Sequence, residues 1–259
     1  MSDILLPRRQ MIGRAGGFVA AAGALPLLSG CDAINDAPAV RKILSMGEEM
    51  NRASQRALMD RDALAREFSR ADLSPTFRSN GTKLPSGDSY AAHAAGGFAD
   101  WRVKVTGLVA RPLSLSMADI RAMPQRTQIT RHDCVEGWSA IGQWTGVQLG
   151  RILAAAGLRD SARYIVFRCA DRIGDALYYE SCDLIDALHP QTIMAWALND
   201  AVLPIANGAP LRLRIERQLG YKHAKYVQGI EAVSSLDAIG AGKGGYWEDR
   251  IDYEWYAGI

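Results

Sequence analysis

In the stretch Leu211-Arg212-Leu213-Arg214-Ile215-Glu216-Arg217 apolar and charged residues alternate through Glu216. A period of two puts Leu211, Leu213 and Ile215 on one face of a strand and Arg212, Arg214 and Glu216 on the other, which rules out a helix there and requires a sheet with a buried face. The same period recurs in Trp101-Arg102-Val103-Lys104-Val105-Thr106. Further strands are expected at Arg163–Cys169, Leu177–Glu180, Thr192–Leu198, Ala201–Leu203 and Tyr226–Val233, with Asn199-Asp200 as a hairpin turn. Ser116 caps a short helix through Met123 that Pro124 stops. A second helix over Val147–Ala156 carries Ile152, Leu153 and Ala156 on one face and closes at Gly157, and a third covers Cys182–Leu188. The fold class is α+β, mixed and rich in strands.

Upstream the character changes. Ile43, Met46, Met50, Ala53, Ala57, Leu64 and Phe68 recur at helical spacing, so one or two amphipathic helices are expected between Val40 and Arg70. Phe77–Gly97 reads as one long loop, and the glycine-rich, then aromatic tail from Gly240 is expected to wrap back and close one side of the domain or its cleft. The first residues are an address. Arg8-Arg9 precedes an apolar run, Phe18–Leu28, too short and too rich in Gly and Ala for a membrane span, which is the twin-arginine export pattern. Leu28-Ser29-Gly30-Cys31 resembles a lipobox, which makes Cys31 a candidate lipid anchor and the periplasm the expected location. The organisation is therefore signal over 1–31, helical extension and loop over 32–98, and one larger domain over 99–259.

The net charge of +2 comes entirely from Arg8, Arg9 and Arg14 against Asp3, so the exported body is neutral and carries no electrostatic footprint for nucleic acid. Cys134, Cys169 and Cys182 are an odd, widely spaced set, which argues against a disulfide framework. The Cys-x-x-Cys pattern of zinc sites and the haem-attachment motif are both missing from the sequence, so any electron partner is expected to be a separate chain.

Chemistry concentrates at Thr130-Arg131-His132-Asp133-Cys134-Val135-Glu136-Gly137-Trp138-Ser139. A thiol beside Arg131 and His132 has an electropositive flank that favours thiolate, as nucleophile or as soft metal ligand. Trp138 and Trp144 read as core or cleft walls.

Cys-Val-Glu-Gly-Trp-Ser, with Trp-Thr-Gly after it, resembles the cysteine segment of the molybdopterin-binding domain shared by sulfite oxidases and the catalytic subunit of periplasmic protein-methionine-sulfoxide reductase. Two later segments agree. Asn207-Gly208-Ala209-Pro210-Leu211-Arg212 resembles the family's pterin-holding motif, and Gly220-Tyr221-Lys222-His223-Ala224-Lys225 its glycine-aromatic-lysine loop. The resemblance implies molybdenum-molybdopterin as cofactor, Cys134 as metal ligand, and Asn207, Arg212, His223, Ala224 and Lys225 around the pterin and its phosphate. It places Cys169 where the reductases have a threonine, and makes Asn80 and Tyr90 counterparts of an upstream pterin contact. Arg131 and His132 are candidates to orient a small substrate, and Glu136 to accept a hydrogen bond from the cysteine loop.

The implied activity is two-electron oxygen-atom transfer on a small S- or N-oxide or sulfite-type substrate, coupled to a separate haem or cytochrome partner. Too little chain follows Lys222 for the sulfite oxidases' extra dimerisation domain, so a monomer is expected. Two rivals use the same residues: a cysteine hydrolase pairing Cys134 with His132 or His223, and a metal-free lipid-anchored binding protein of the same fold.

Overall fold

Val103 and Val105 are fully buried while Arg102 and Lys104, which alternate with them, are exposed, so the alternation of the first strand, β1 (Arg102–Gly107), becomes an inside and an outside. The computed structural model describes residues 38–259. The signal segment, the lipobox and Cys31 lie outside the described residues, and among the described residues no helix is long and apolar enough to cross a membrane. Two units are distinguished, through Asn51 and from Arg52. The described part of the first is helical, within Pro38–Leu58. The second unit holds the sheets and the cleft.

That unit contains β2 (Leu113–Ser116), β3 (Gln125–Asp133), β4 (Ser139–Gln148), β5 (Tyr164–Ile173), β6 (Ala176–Asp183), β7 (Ile193–Leu198), β8 (Ala201–Val202), β9 (Arg212–Arg214) and β10 (Val227–Val233). One sheet runs β2-β1-β10-β5-β6, antiparallel except for the parallel pair β1 and β10. The other runs β3-β4-β7-β8, with β9 also on β7. The mixed, strand-rich architecture is the one expected. Ser116 caps Met117–Ala122 through its hydroxyl and the Asp119 backbone, 3.1 Å apart. Leu149, Ile152, Leu153 and Ala156 of the Leu149–Ala156 helix are completely buried, and Gly157 takes the left-handed conformation that ends it. Asn199 and Asp200 both have positive φ, as a two-residue hairpin turn requires.

Four expectations need correction. Leu64 and Phe68 are not helical. Their segment runs extended along the second sheet: the Phe68 N–H donates to Ile129 O (2.8 Å), the Ser74 N–H to Ile141 O (3.0 Å), and Gln191 holds both backbone groups of Ala65. Those external partners outcompete a local helix. Only Arg70–Asp72 forms a single 3-10 turn.

The expected loop of 77–97 contains a helix, Asp88–Ala95, whose buried Tyr90 donates to Ala209 O at 2.7 Å. The cysteine segment, whose sequence reads as lying between a polar strand and an amphipathic helix, is instead followed by β4, so Cys134 sits on the turn of a β3–β4 hairpin. Finally, the alternating stretch has no solvent face. Its regular part is the three-residue β9, and Arg212, Arg214 and Glu216 are as buried as the leucines between them.

Candidate functional site

The β3–β4 turn closes on its own backbone: the Cys134 N–H donates to Trp138 O (2.9 Å) and the Gly137 N–H to Cys134 O (3.0 Å). Gly137, at φ +83°, supplies the left-handed position. Trp138 Nε1 donates to Glu136 Oε2 at 2.8 Å, which fixes the tip. Cys134 is left 7% exposed, as a free thiol on the wall of a cleft of about 190 Å³.

Opposite elements complete that cleft. Asn80–Thr82 form one rim, Asp171 comes from β5, and Gly220, His223 and Lys225 come from the turn before β10. Lys225 Nζ donates to Asn80 O (2.7 Å), Thr82 O and Ala206 O (3.0 Å), so this one ammonium ties the rim to the Asn207 segment. Burial, helped by Arg212, lowers Lys225 to about 7 despite the attraction of Asp171. Arg212 is 1% exposed, donates to Asn207 O (3.0 Å) and His223 O (3.3 Å), and lies over the Trp144 ring at 5.0 Å. Burial and then Arg214 bring it down to about 9, still cationic at neutral pH.

His132 and His223 stack edge to face at 5.0 Å behind the turn. Burial, with Arg214 next, holds both well below the ordinary histidine value. His132 Nδ1 meets Arg214 at 2.9 Å, and an arginine can only donate, so this nitrogen is the acceptor and the proton sits on Nε2. Arg214 is in turn clamped by Glu216, whose Oε1 also accepts from Gln128 at 2.9 Å. The charge of Arg214 is therefore satisfied inside the protein, whereas Arg212 is held by backbone carbonyls alone.

Several expected site residues are placed elsewhere. Arg131 turns away to Asp133 (2.9 Å) and is more than half exposed, so it gives Cys134 no electropositive flank. Burial pushes the Cys134 thiol up, and the Glu136 carboxylate adds to this, the reverse of the expected thiolate. His132 supports the turn from behind. Cys169 is completely buried in the main core, while Asp171, two residues along the same strand face, reaches the cleft. The Ala224 methyl is also in the core, and its N–H and C=O are taken by Lys222 and Leu213. Cys134, Asn80, His223 and Lys225 do converge on the cleft, and Arg212 and Asn207 adjoin it through Lys225.

Sequence reasoning missed Asp171, Thr82 and Tyr178, all in the lining, which Trp247 and Tyr253 of the aromatic tail share. The period of β5 counted two residues past Cys169 is the one signal that could have found Asp171.

Asp171 is 3% exposed, accepts from the Thr82 hydroxyl, and burial raises it from 3.8 to about 6. A raised carboxyl gives its full stability below its unfolded value and loses it as pH rises through the folded value, here between about pH 4 and pH 6. Asp171→Asn removes that penalty. The cofactor-free variant should exceed the parent above pH 6 by up to about 3 kcal/mol, several degrees in Tm, with the gap closing below pH 4. Thermal melts across pH 3.5–8 test this, and a gap that does not vary with pH contradicts it.

Residues 92–237 match the oxidoreductase molybdopterin binding domain family. Over 236 residues the chain is 37% identical to YedZ1 of Azospira oryzae, provisionally named a protein-methionine-sulfoxide reductase subunit, covering 91% of this chain and 83% of that one. The crystal structure of the sulfane dehydrogenase SoxCD from Paracoccus pantotrophus shares the fold, with a TM-score of 0.50 at 21% identity over 53% of this chain and 39% of that chain. The chain therefore belongs to the oxidoreductase molybdopterin-binding domain family and is a molybdopterin-dependent oxidoreductase of the sulfite oxidase type.

The residues present suit that cofactor. A thiol, the soft donor a redox-active metal favours, opens into the same cleft as a buried ammonium. Asp171 Oδ1, Asn207 Nδ2, Arg212 Nε and His132 Nε2 are buried atoms with no partner among the described residues. At Gly220 a Cβ would meet His132 Nε2 at 2.5 Å, so only glycine lets the cleft wall lie this close to the histidine.

Proposed function

We propose that this chain is the catalytic subunit of an exported oxidoreductase that moves an oxygen atom to or from a small S- or N-oxide or sulfite-type substrate. Within that class sulfoxide reduction is the favoured direction, because a relative 37% identical over most of the chain carries a sulfoxide-reductase subunit name. The observation that carries the reading is the meeting of Cys134 and Lys225 on one cleft. When bound, the molybdenum-molybdopterin supplies a metal that accepts the oxygen and exchanges two electrons.

The chain's own residues divide the remaining work. Cys134 offers its sulfur to the metal. Lys225 and Arg212, with Asn80, Asn207 and His223, hold the pterin and its phosphate, where ammonium and guanidinium both suit phosphate oxygens. His132 and Arg214 keep the cysteine turn from shifting. The reaction balances as sulfoxide plus two electrons and two protons giving thioether and water, with the electrons drawn from a separate haem or cytochrome protein. Arg8-Arg9 and Cys31 support twin-arginine export and a lipid tether in the periplasm. A monomeric catalytic subunit accords with this division of labour.

The hydrolase rival lacks a base. His223 Nε2 faces Gln218 O at 3.0 Å and its Nδ1 faces the Ile215 N–H at 3.5 Å, while His132 Nδ1 belongs to Arg214. The test is metal analysis of protein matured in a molybdopterin-competent host, followed by assays on methionine sulfoxide and sulfite. About one molybdenum per chain is expected, and matured protein free of molybdenum would end the reading.

A further inference from the structure

The helix Pro38–Leu58 is amphipathic with its faces reversed. Its last turns belong to the second unit, where Gln55 donates to Gly258 O at 3.2 Å and Arg56 pairs with Asp183 and Asp186 at 3.1 and 2.8 Å. Arg56 also lies 5.0 Å over the Tyr256 ring. Polar side chains therefore make the inward face of these turns, while Ala53 and Ala57 on their outer side are exposed.

Steps of three and four residues carry that outer stripe back along the helix to Met50, Met46 and Ile43. These side chains are 66%, 54% and 66% exposed. A surface helix ordinarily buries its apolar stripe and leaves its polar face to water. Large apolar groups lined up in water, on a helix that spends its polar residues inward, mark a face made for contact.

The position of this face in the chain selects the occupant. Cys31, the candidate lipid anchor, belongs to the same unit as Ile43, Met46 and Met50, and residues 32–37 alone separate it from the start of the helix. Fully extended, that spacer reaches about 25 Å, so the helix cannot leave the neighbourhood of the lipid headgroups. The stripe from Ile43 to Ala57 is about 21 Å long and one side chain wide. That shape suits an interfacial helix sunk edge-on among headgroups. It falls far short of the roughly 20–30 residues a side that a stable protein interface needs. A short tether holds the helix at an effective concentration of about millimolar, so even a narrow stripe stays engaged.

Resting on the lipid-tether reading above, we infer that Ile43, Met46 and Met50 form a membrane-docking stripe. The acylated chain lays this helix in the headgroup layer of the bilayer that holds its anchor.

The test follows peroxide oxidation of individual methionines by peptide mass spectrometry. It compares the acylated full chain, in vesicles of phosphatidylethanolamine with some phosphatidylglycerol, against the Cys31→Ser full chain in buffer. With no electron donor added, sulfoxides formed on the chain accumulate whatever its own activity. Met46 and Met50 should oxidise about fivefold more slowly in vesicles. Met59, 39% exposed beside Arg56, should stay within about twofold. Met50→Glu in the acylated chain should return Met46 to near its rate in buffer, because a charge in the stripe lifts the helix out. Equal rates in vesicles and buffer, or Met46 still protected in Met50→Glu, overturn the stripe. Protection of the Cys31→Ser chain in buffer that deepens with protein concentration overturns it as well, since a second copy would then be the occupant. A Cys31 found without acyl chains defeats the tether reading instead, and the same chain coupled at Cys31 to a maleimide-bearing lipid still decides the stripe.

Discussion

Cys134→Ser should cut oxygen-transfer turnover by about a thousandfold or more, equivalent to at least about 4 kcal/mol of barrier. The replacement is nearly isosteric, and the two hydrogen bonds that close the turn, from the Cys134 N–H to Trp138 O and from the Gly137 N–H to Cys134 O, are made by backbone atoms. The serine protein should therefore fold and melt like the parent. What it loses is the soft, polarizable donor that a metal cycling between oxidation states needs, since a hydroxyl is a hard and weakly acidic ligand. Steady-state assays beside metal analysis and a thermal melt separate the effects. Activity within tenfold of wild type would remove Cys134 from the centre of the chemistry.

Lys222→Met should be the most damaging substitution for stability. Lys222 is 1% exposed and bonds two carboxylates that are themselves fully buried, Glu180 and Glu248. Burial alone would pull the ammonium's pKa down, but the two carboxylates outweigh it and hold the value above the ordinary lysine range. Burial and the neighbouring Glu248 push Glu180 well up. Removing this cation strands two buried carboxyls that are paired to no other cation among the described residues, which destabilises by about 3–5 kcal/mol. For a chain of this size that is about 10 °C in Tm. Adding Glu180→Gln and Glu248→Gln to Lys222→Met should recover much of the loss, because the damage comes from unpaired acids and not from a missing methylene stem. A triple variant no better than the single would show that the lysine matters mainly by packing.

The parts of this fold legible in the sequence are those decided locally. The Ser116 cap, the Gly157 stop and the Asn199-Asp200 turn each depend on the conformational preference of one or two residues, and each sits where expected. The parts that were illegible are decided by distant partners. Leu64 and Phe68 have helical spacing, yet their segment's backbone is claimed by Ile129 and Gln191. β4 carries Gly142 and Gly146, which lower its strand signal. They are there because a Cβ at Gly142 would meet the Phe77 ring at 2.8 Å and one at Gly146 would meet Met194 O at 2.2 Å.

The site divides in the same way. Resemblance carried Cys134, His223 and Lys225 to the cleft, since their motifs are short and continuous. Arg131 looked like a neighbour of Cys134 because the two are three apart in sequence. In a strand the side chains of Arg131 and His132 point to opposite faces, and only His132 turns inward. Trp247 and Tyr253 could be foreseen as something that folds back, but not which wall they would make.

The single parallel pairing in the first sheet, β1 against β10, joins Lys104–Gly107 to Gly229–Ala232. That join dictates an order of assembly. While the ribosome is still adding the residues before β10, β1 has only β2 beside it and presents an open edge, and the ladder between them cannot nucleate the larger sheet. Closure waits for the last strand, and a contact of such long range is slow to form. The turn that delivers β10 also delivers His223 and Lys225, so the pocket acquires that wall at the moment the sheet is sealed. A nascent or truncated chain thus has neither a finished sheet nor a finished pocket, and completion of the cleft becomes a late checkpoint on successful folding.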